Sequence, residues 1–222
     1  MKTIFRTLFL LIILFSTIDC ISKNNKTSKS SITHIQENID CQDEFVETKG
    51  IYNFTELGLV CYEGDLEAVK KMINNNACKE RCLSDDIFEY DILYTAILYE
   101  HTNIVEYLIS INENVNIVYN ENGYTALSLA CSIKDKKKAL DISKILLKAG
   151  AQVNGAGDMG GDYIIYPIFR AIETDNIDLV QLLIDHAVNL NVIDKQGNSV
   201  IDIAKNNKEI ESLVSKYLLK TN

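Results

Sequence analysis

Apolar residues recur along most of this chain with a helical period, and the pattern breaks off in the same way several times. Residues 146–158, LLKAGAQVNGAGD, show the break: an apolar helical run stops at Gly150, passes a Val-Asn pair and ends among glycines. The outline returns as MINNNACKE from Met72, LISINENVN from Leu108 and LLIDHAVNLN from Leu182. The runs EAVKKMI, NIVEYLI, DISKILL and IDLVQLLI that lead into it place apolar residues three and four apart. That spacing predicts four helices, each with one apolar stripe that only a neighbouring element can cover. Gly150 falls where such a helix ends in left-handed backbone geometry, which glycine adopts without Cβ strain and asparagine tolerates next best. The aligned positions are Asn76, Asn112 and Ala187. Ala187 departs from the rule.

A second signature stands upstream of each break. Five stretches begin at Thr55 (TELGLV), Asp91 (DILYTA), Thr125 (TALSLA), Tyr166 (YPIFRA) and Ser199 (SVIDIA), with successive starts 36, 34, 41 and 33 residues apart. Thr55, Asp91, Thr125 and Ser199 can cap a first helix, and Pro167 fits a first helical turn because its missing N–H costs nothing there. Ala96, Ala130, Ala171 and Ala204 are small where two helix layers must approach. A period near 33 built from helix, tight turn, helix and polar loop resembles the ankyrin repeat, whose signature is T-P-L-H-x-A. The resemblance covers Thr55 to about Leu219. It implies an all-α fold, an ankyrin-repeat solenoid of about five helix-turn-helix units with β-hairpin-like fingers. Turn residues Asn-Glu-Asn-Gly (120–123) and Asp-Lys-Gln-Gly (194–197) favour such fingers, which tetratricopeptide units of similar period lack. The third unit is longer around IKDKKKALD, and the loop after it, GAGDMGGDYII, is also extended. The last unit ends in SLVSKYLLK, a Lys-bearing terminal cap.

The first residues read as an address. Lys2 and Arg6 precede the apolar run at 8–15, followed by Ser16 and Thr17, which is the layout of a secretory signal and too short to span a membrane. Cys20 resembles the acylated cysteine of bacterial lipoproteins, although Asp19 and Thr17 stand where that motif wants a small and a Leu-like residue; cleavage after Ser22 fits as well. The expected organisation is a signal peptide at 1–19, a polar linker and N-terminal cap at 20–52, and the repeat domain at 53–222. The expected location is exported, in the cell envelope, periplasm or medium, with Cys20 as a lipidation candidate and a lipid there as the only route to a membrane.

Charge narrows the partners. The formal net charge is −9, and removing the signal shifts it to about −10. Phosphate backbones would be repelled, so no nucleic acid is expected, and residues 136–138 read as a solvated Lys face. His34, His101 and His186 share no motif. No P-loop, G-x-S-x-G or HExxH occurs, so no catalytic residue, metal or cofactor is assigned. Cys61 and Cys131 share one position late in a first helix and read as core. Cys41, Cys78 and Cys82 lie outside regular helix and are disulfide candidates in an exported chain, Cys41 pairing with either of the others; Cys78-x3-Cys82 as half of a zinc site lacks clear further ligands.

Two functions follow. One is a non-enzymatic module that binds a protein partner on its concave face, as the family resemblance implies; the other is an accessory factor or enzyme with a site scattered over the stack. Mapped by the resemblance, the partner face collects Tyr62, Glu63, Tyr99, Glu121, Asn122 and Tyr124 from the first half. Asp158, Met159, Asp162 and Tyr163 come from the long finger, with Glu173, Lys195 and Gln196 beyond. Tyrosines set among carboxylates suit recognition of a protein with a basic patch.

Overall fold

Five helix pairs follow one another, and the residues at their starts explain where each begins. The computed structural model describes residues 43–221, apart from residue 86 and residues 120–122 and 157–164, within a unit spanning Asp40–Asn222. The first helices are α1 (Glu56–Glu63), α3 (Ile92–Leu98), α5 (Ala126–Cys131), α7 (Pro167–Glu173) and α9 (Val200–Ala204). The second helices are α2 (Leu66–Asn74), α4 (Thr102–Ser110), α6 (Lys136–Lys148), α8 (Ile177–Asp185) and α10 (Lys208–Thr221). Each expected cap is in place: Thr55 Oγ1 accepts from Gly58 N at 3.2 Å, Asp91 Oδ1 from Tyr94 N at 2.7 Å, Thr125 Oγ1 from Ser128 N at 3.3 Å and Ser199 Oγ from Asp202 N at 3.3 Å. Pro167 occupies the first turn of α7.

The fourth position of the signature varies with what it must do locally. Ser128 and Asp202 close capping boxes with Thr125 and Ser199, Tyr94 stacks on Tyr90, and Phe169 is buried.

First helices pack on first helices and second on second, so the stack has two helical layers. The first layer is enclosed on both sides: residues 92–97 of α3 and all of α5 are buried. The second layer buries a stripe only, such as Ile104, Val105 and Leu108 of α4 or Leu179, Val180, Leu183 and Ile184 of α8. At 13 residues against 9 in α2, α4 and α8, α6 absorbs the extra length read in the third unit.

Every second helix from α2 to α8 ends as the sequence predicts. Asn76, Asn112, Gly150 and Ala187 have φ of 62°, 65°, 91° and 61°. The next residue's N–H reaches back to a carbonyl in the last turn, Ala77 to Met72 (3.1 Å), Glu113 to Leu108 (3.2 Å), Ala151 to Leu146 (2.9 Å) and Val188 to Leu183 (3.1 Å). These bonds satisfy carbonyls that the helix leaves open. The same closure recurs between the helices of units one, two and four, at Gly64 (φ 79°), Glu100 (61°) and Asp175 (51°).

Ala187→Gly is therefore expected to stabilise the stack by about 1 kcal/mol, since left-handed strain relieved at a Cβ exceeds the added freedom of the unfolded chain. Gly150→Ala is expected to cost a similar amount. No atom lies within 4 Å of the place its Cβ would take, so backbone strain alone is measured. Urea unfolding of the two variants checks both signs; a less stable Ala187→Gly would mean the strain is absent.

The N-terminal cap takes the form of a hairpin, β1 (Glu47–Lys49) and β2 (Tyr52–Phe54), turned at Gly50 with φ of 65°. It pairs with the first finger, β3 (Leu83–Ser84) and β4 (Glu89–Tyr90), in one antiparallel sheet of order β1-β2-β3-β4. The fold thus begins before Asn53, in a stretch the helical pattern assigns to linker and cap. Later fingers close with single bridges, Val118 to Thr125 and Ile193 to Ser199.

The Val-Asn pair also has its physical reason. Asn116 Oδ1 accepts from Gln152 N (2.9 Å) while its amide donates to Gly150 O (3.1 Å), and Asn154 Oδ1 accepts from Asn189 N (2.7 Å). Each asparagine clips its loop to the next. Between units one and two the aligned region uses an ion pair, Lys79 with Glu113.

Candidate partner-binding face

Tyrosines collect where the fingers meet the first helices, because both elements contribute them at the same level of the stack. Tyr62 lies in the last turn of α1 and Tyr99 follows α3; their rings meet edge to face at 4.6 Å and 81°. Beneath both lies the fully buried Phe54 of the cap hairpin, 5.3 Å from Tyr62 and 6.0 Å from Tyr99. Tyr62, Tyr99 and Tyr124 are half-buried, so each ring has one part in the core and one part in water. The Tyr99 phenol is pushed up to about 12, by burial first and then by Tyr52 and Tyr62. Tyr124 shares a hydrogen bond of 3.2 Å with Ser132 Oγ.

Tyr52 joins this group from β2. Its phenol is raised by burial, then by Asp85 and Tyr124. The sequence reading missed Tyr52, although the order Lys49-Gly50-Ile51-Tyr52 carries a turn glycine between residues of strand period. A deeper cluster was missed too: Tyr90 stacks on Tyr94 at 4.0 Å and 17°, and Tyr94 meets Tyr119 at 4.8 Å. Asp85 fixes the first finger by accepting from Phe88 N (2.8 Å), Ile87 N (3.1 Å) and Tyr90 Oη (2.9 Å). Burial acts to raise its carboxyl, and these hydrogen bonds outweigh burial and hold it below the usual value.

Glu63 is exposed beside Tyr62. Glu173 is exposed on α7 and paired with Arg170 at 2.7 Å. Lys195 and Gln196 form the exposed turn of the last finger, where Asp194 Oδ1 accepts from Gln196 N at 2.9 Å. Glu121, Asn122, Asp158, Met159, Asp162 and Tyr163 lie outside the described residues, as do Cys20, Cys41 and His34.

Cys61 and Cys131 are buried free thiols raised first of all by burial. Cys78 is disulfide-bonded, whereas Cys82 is a buried free thiol, which removes it from the disulfide candidates and breaks the Cys78-x3-Cys82 zinc pair. Its Sγ lies 3.5 Å from Lys79 O and 3.6 Å from Cys78 O. His101 Nε2 is bonded to Tyr62 O at 2.9 Å and His186 Nδ1 to Leu182 O at 2.9 Å. Among the described residues no three His, Cys, Asp or Glu side chains gather as metal ligands, and no helix is long and apolar enough to cross a membrane.

Comparison with known proteins agrees with the repeat architecture. Residues 57–156 match the family described as ankyrin repeats (3 copies). A protein named as an ankyrin repeat protein of fowlpox virus (strain NVSL) is 32% identical over 140 residues, 58% of this chain and 31% of the relative. One of Acanthamoeba polyphaga mimivirus is 27% identical over 156 residues, 69% of this chain and 19% of the relative. Human ankyrin repeat and SOCS box protein 11 is 28% identical over 119 residues, 54% of this chain and 34% of the relative. The matches thus span about a third or less of these relatives' lengths.

Proposed function

The chain belongs to the ankyrin-repeat family, a family of protein-protein interaction modules, and from that premise we propose that Tyr62, Tyr99 and Tyr124, joined by Tyr52, grip a protein partner. The observation that carries this reading is the half-burial of all four rings, with Tyr62 packed on Tyr99 and Tyr52 near enough to Tyr99 and Tyr124 to interact with them electrostatically. Tyrosine held this way offers large contact area with few rotors left to freeze. Glu63 and the acidic residues of the second and third fingers, Glu121, Asp158 and Asp162, match a partner with a basic patch, whose association slows as salt rises.

Export belongs to the same proposal, resting on the basic, apolar and small-residue order of residues 1–22, with Cys20 as the position for a lipid. So does a bond from Cys41 to Cys78, which would tie the segment before the cap onto the open end of the stack.

Tyr99→Ala is expected to weaken partner binding by about 2 kcal/mol, the scale of an aromatic hot spot. Tyr99→Phe is expected to keep most of the affinity. The measurement is affinity capture from the envelope or secreted fraction, then calorimetry with the captured protein. Because Tyr99 also covers Phe54, a thermal melt accompanies each titration. Unchanged affinity in Tyr99→Ala, or loss that follows unfolding, would move the binding site off this patch.

A further inference from the structure

One cation already sits on the tyrosine patch. Lys49, the last residue of β1, places its Nζ 5.1 Å from the centre of the Tyr62 ring and 2.9 Å from Glu47 Oε1. Tyr62 also packs against Tyr99, edge to face, and against Phe54, and Glu63 follows it in the chain. The Lys49 ammonium is held above its ordinary value, first by the hydrogen bond from Nζ to Glu47, with the carboxylate charges of Glu47 and Glu63 acting the same way against the opposing effect of burial. An aromatic face with carboxylates beside it attracts a positive charge through the ring quadrupole as well as by charge. Among the described residues β1 pairs with β2 alone, at the edge of the sheet, and the Gly50–Ile51 turn follows Lys49 directly. Lys49 therefore sits where the chain can release its side chain to water without disturbing a helix.

We infer that the Tyr62 ring, with Tyr99 packed nearly perpendicular to it and Glu47 and Glu63 alongside, is a seat for a cationic side chain of the partner, and that Lys49 fills it in the free chain. The inference rests on the proposed use of the tyrosine patch and names the chemistry it reads: an arginine or lysine in the bound segment. Arginine is the better occupant, because its planar guanidinium stacks on a ring face and is less strongly hydrated than an ammonium. Exchange of one cation for another keeps the local charge balanced, so displacement of Lys49 leaves no carboxylate uncompensated. Lys49 sets a threshold: a neutral side chain gains nothing by displacing it.

The test needs no identified partner. N-acetyl-arginine amide is titrated into the full chain while the ring signals of Tyr62 and Tyr99 are followed by nuclear magnetic resonance, with N-acetyl-glutamine amide as the neutral control. Lys49→Ser is expected to bind the arginine probe about three- to fivefold more tightly than the native chain, the scale of an exposed cation–ring contact. Lys49→Arg keeps the seat filled with the better occupant and is expected to bind the probe no more tightly than the native chain. Tyr62→Leu is expected to lose the saturable response. Equal binding by the native chain and Lys49→Ser, or a response to the glutamine probe of the same size, overturns the seat. That result leaves the tyrosine patch standing if Tyr99→Ala still releases the partner, so the two readings fail separately.

Discussion

Gly58→Ala is expected to destabilise the protein by about 3 kcal/mol, lowering its melting temperature by about 10 °C, against a helix propensity that favours alanine by about 1 kcal/mol. A Cβ on Gly58 would stand 1.8 Å from the carbonyl oxygen of Cys82 and 2.7 Å from its carbon. That carbonyl cannot easily retreat. It accepts from Thr55 N at 3.2 Å, and the same residue's N–H donates to Tyr90 O at 2.8 Å, so Cys82 is pinned to both the helix start and the first finger. Either α1 moves, breaking the bond from Thr55 N to the Cys82 carbonyl, or β3 moves, breaking the sheet that joins the cap hairpin to the stack. Urea unfolding decides the sign. A neutral or stabilised Gly58→Ala would show that helix and finger can separate without cost.

The second large effect is on pH dependence. Among the described helix starts Asp91 is the one with a carboxylate at a buried cap: it accepts from Tyr94 N and from the Tyr119 phenol at 3.1 Å to Oδ1 and 3.3 Å to Oδ2. Burial pushes its carboxyl up to about 7; the Tyr94 N–H and Tyr119 hydroxyl oppose the shift, and Glu113 and Glu80 add to it. The sign follows from the two states. Between about pH 4 and 7 the folded chain keeps a proton that the unfolded chain releases, so this group's contribution falls as pH rises through that window and is level above it. Asn at the same position caps as well and never ionises. Asp91→Asn is expected to gain about 3 kcal/mol relative to the native chain between pH 5 and 7.5, at about 1.4 kcal/mol per unit. Unfolding curves at several pH values report the difference, in which the other carboxylates cancel. Parallel curves would show a carboxylate that water still reaches.

Much of this fold was legible because its repeating parts make repeating physical demands. The left-handed helix ends at Asn76, Asn112 and Gly150 could be read because asparagine and glycine are the residues that tolerate that geometry, and alignment carried the reading to Ala187. The equivalent turns at Glu100 and Asp175 escaped, since neither residue signals left-handed backbone as strongly. The tight reversal between the two helices of a unit imposes it there. The cap hairpin escaped for a related reason: its strands are three residues long and β1 is largely charged, so pairing with the first finger, rather than local pattern, holds it in place. The tyrosine patch was half legible. Tyr62, Tyr99 and Tyr124 followed from their places in the repeat, whereas Tyr52 and Lys49 arrive on the two strands of a hairpin with no place in it.

The links between neighbouring loops act as a grammar of which unit may follow which. Asn116 and Asn154 both hold the backbone N–H two residues beyond a left-handed helix end, at Gln152 and Asn189. Unit two could therefore be joined directly to unit four with the same clip. Unit one is spelled differently: Lys79 needs Glu113, and the residue aligned with Glu113 in unit three is Ala151. Excision of unit three leaves a joint that still reads, while excision of unit two leaves a lysine with no carboxylate to meet.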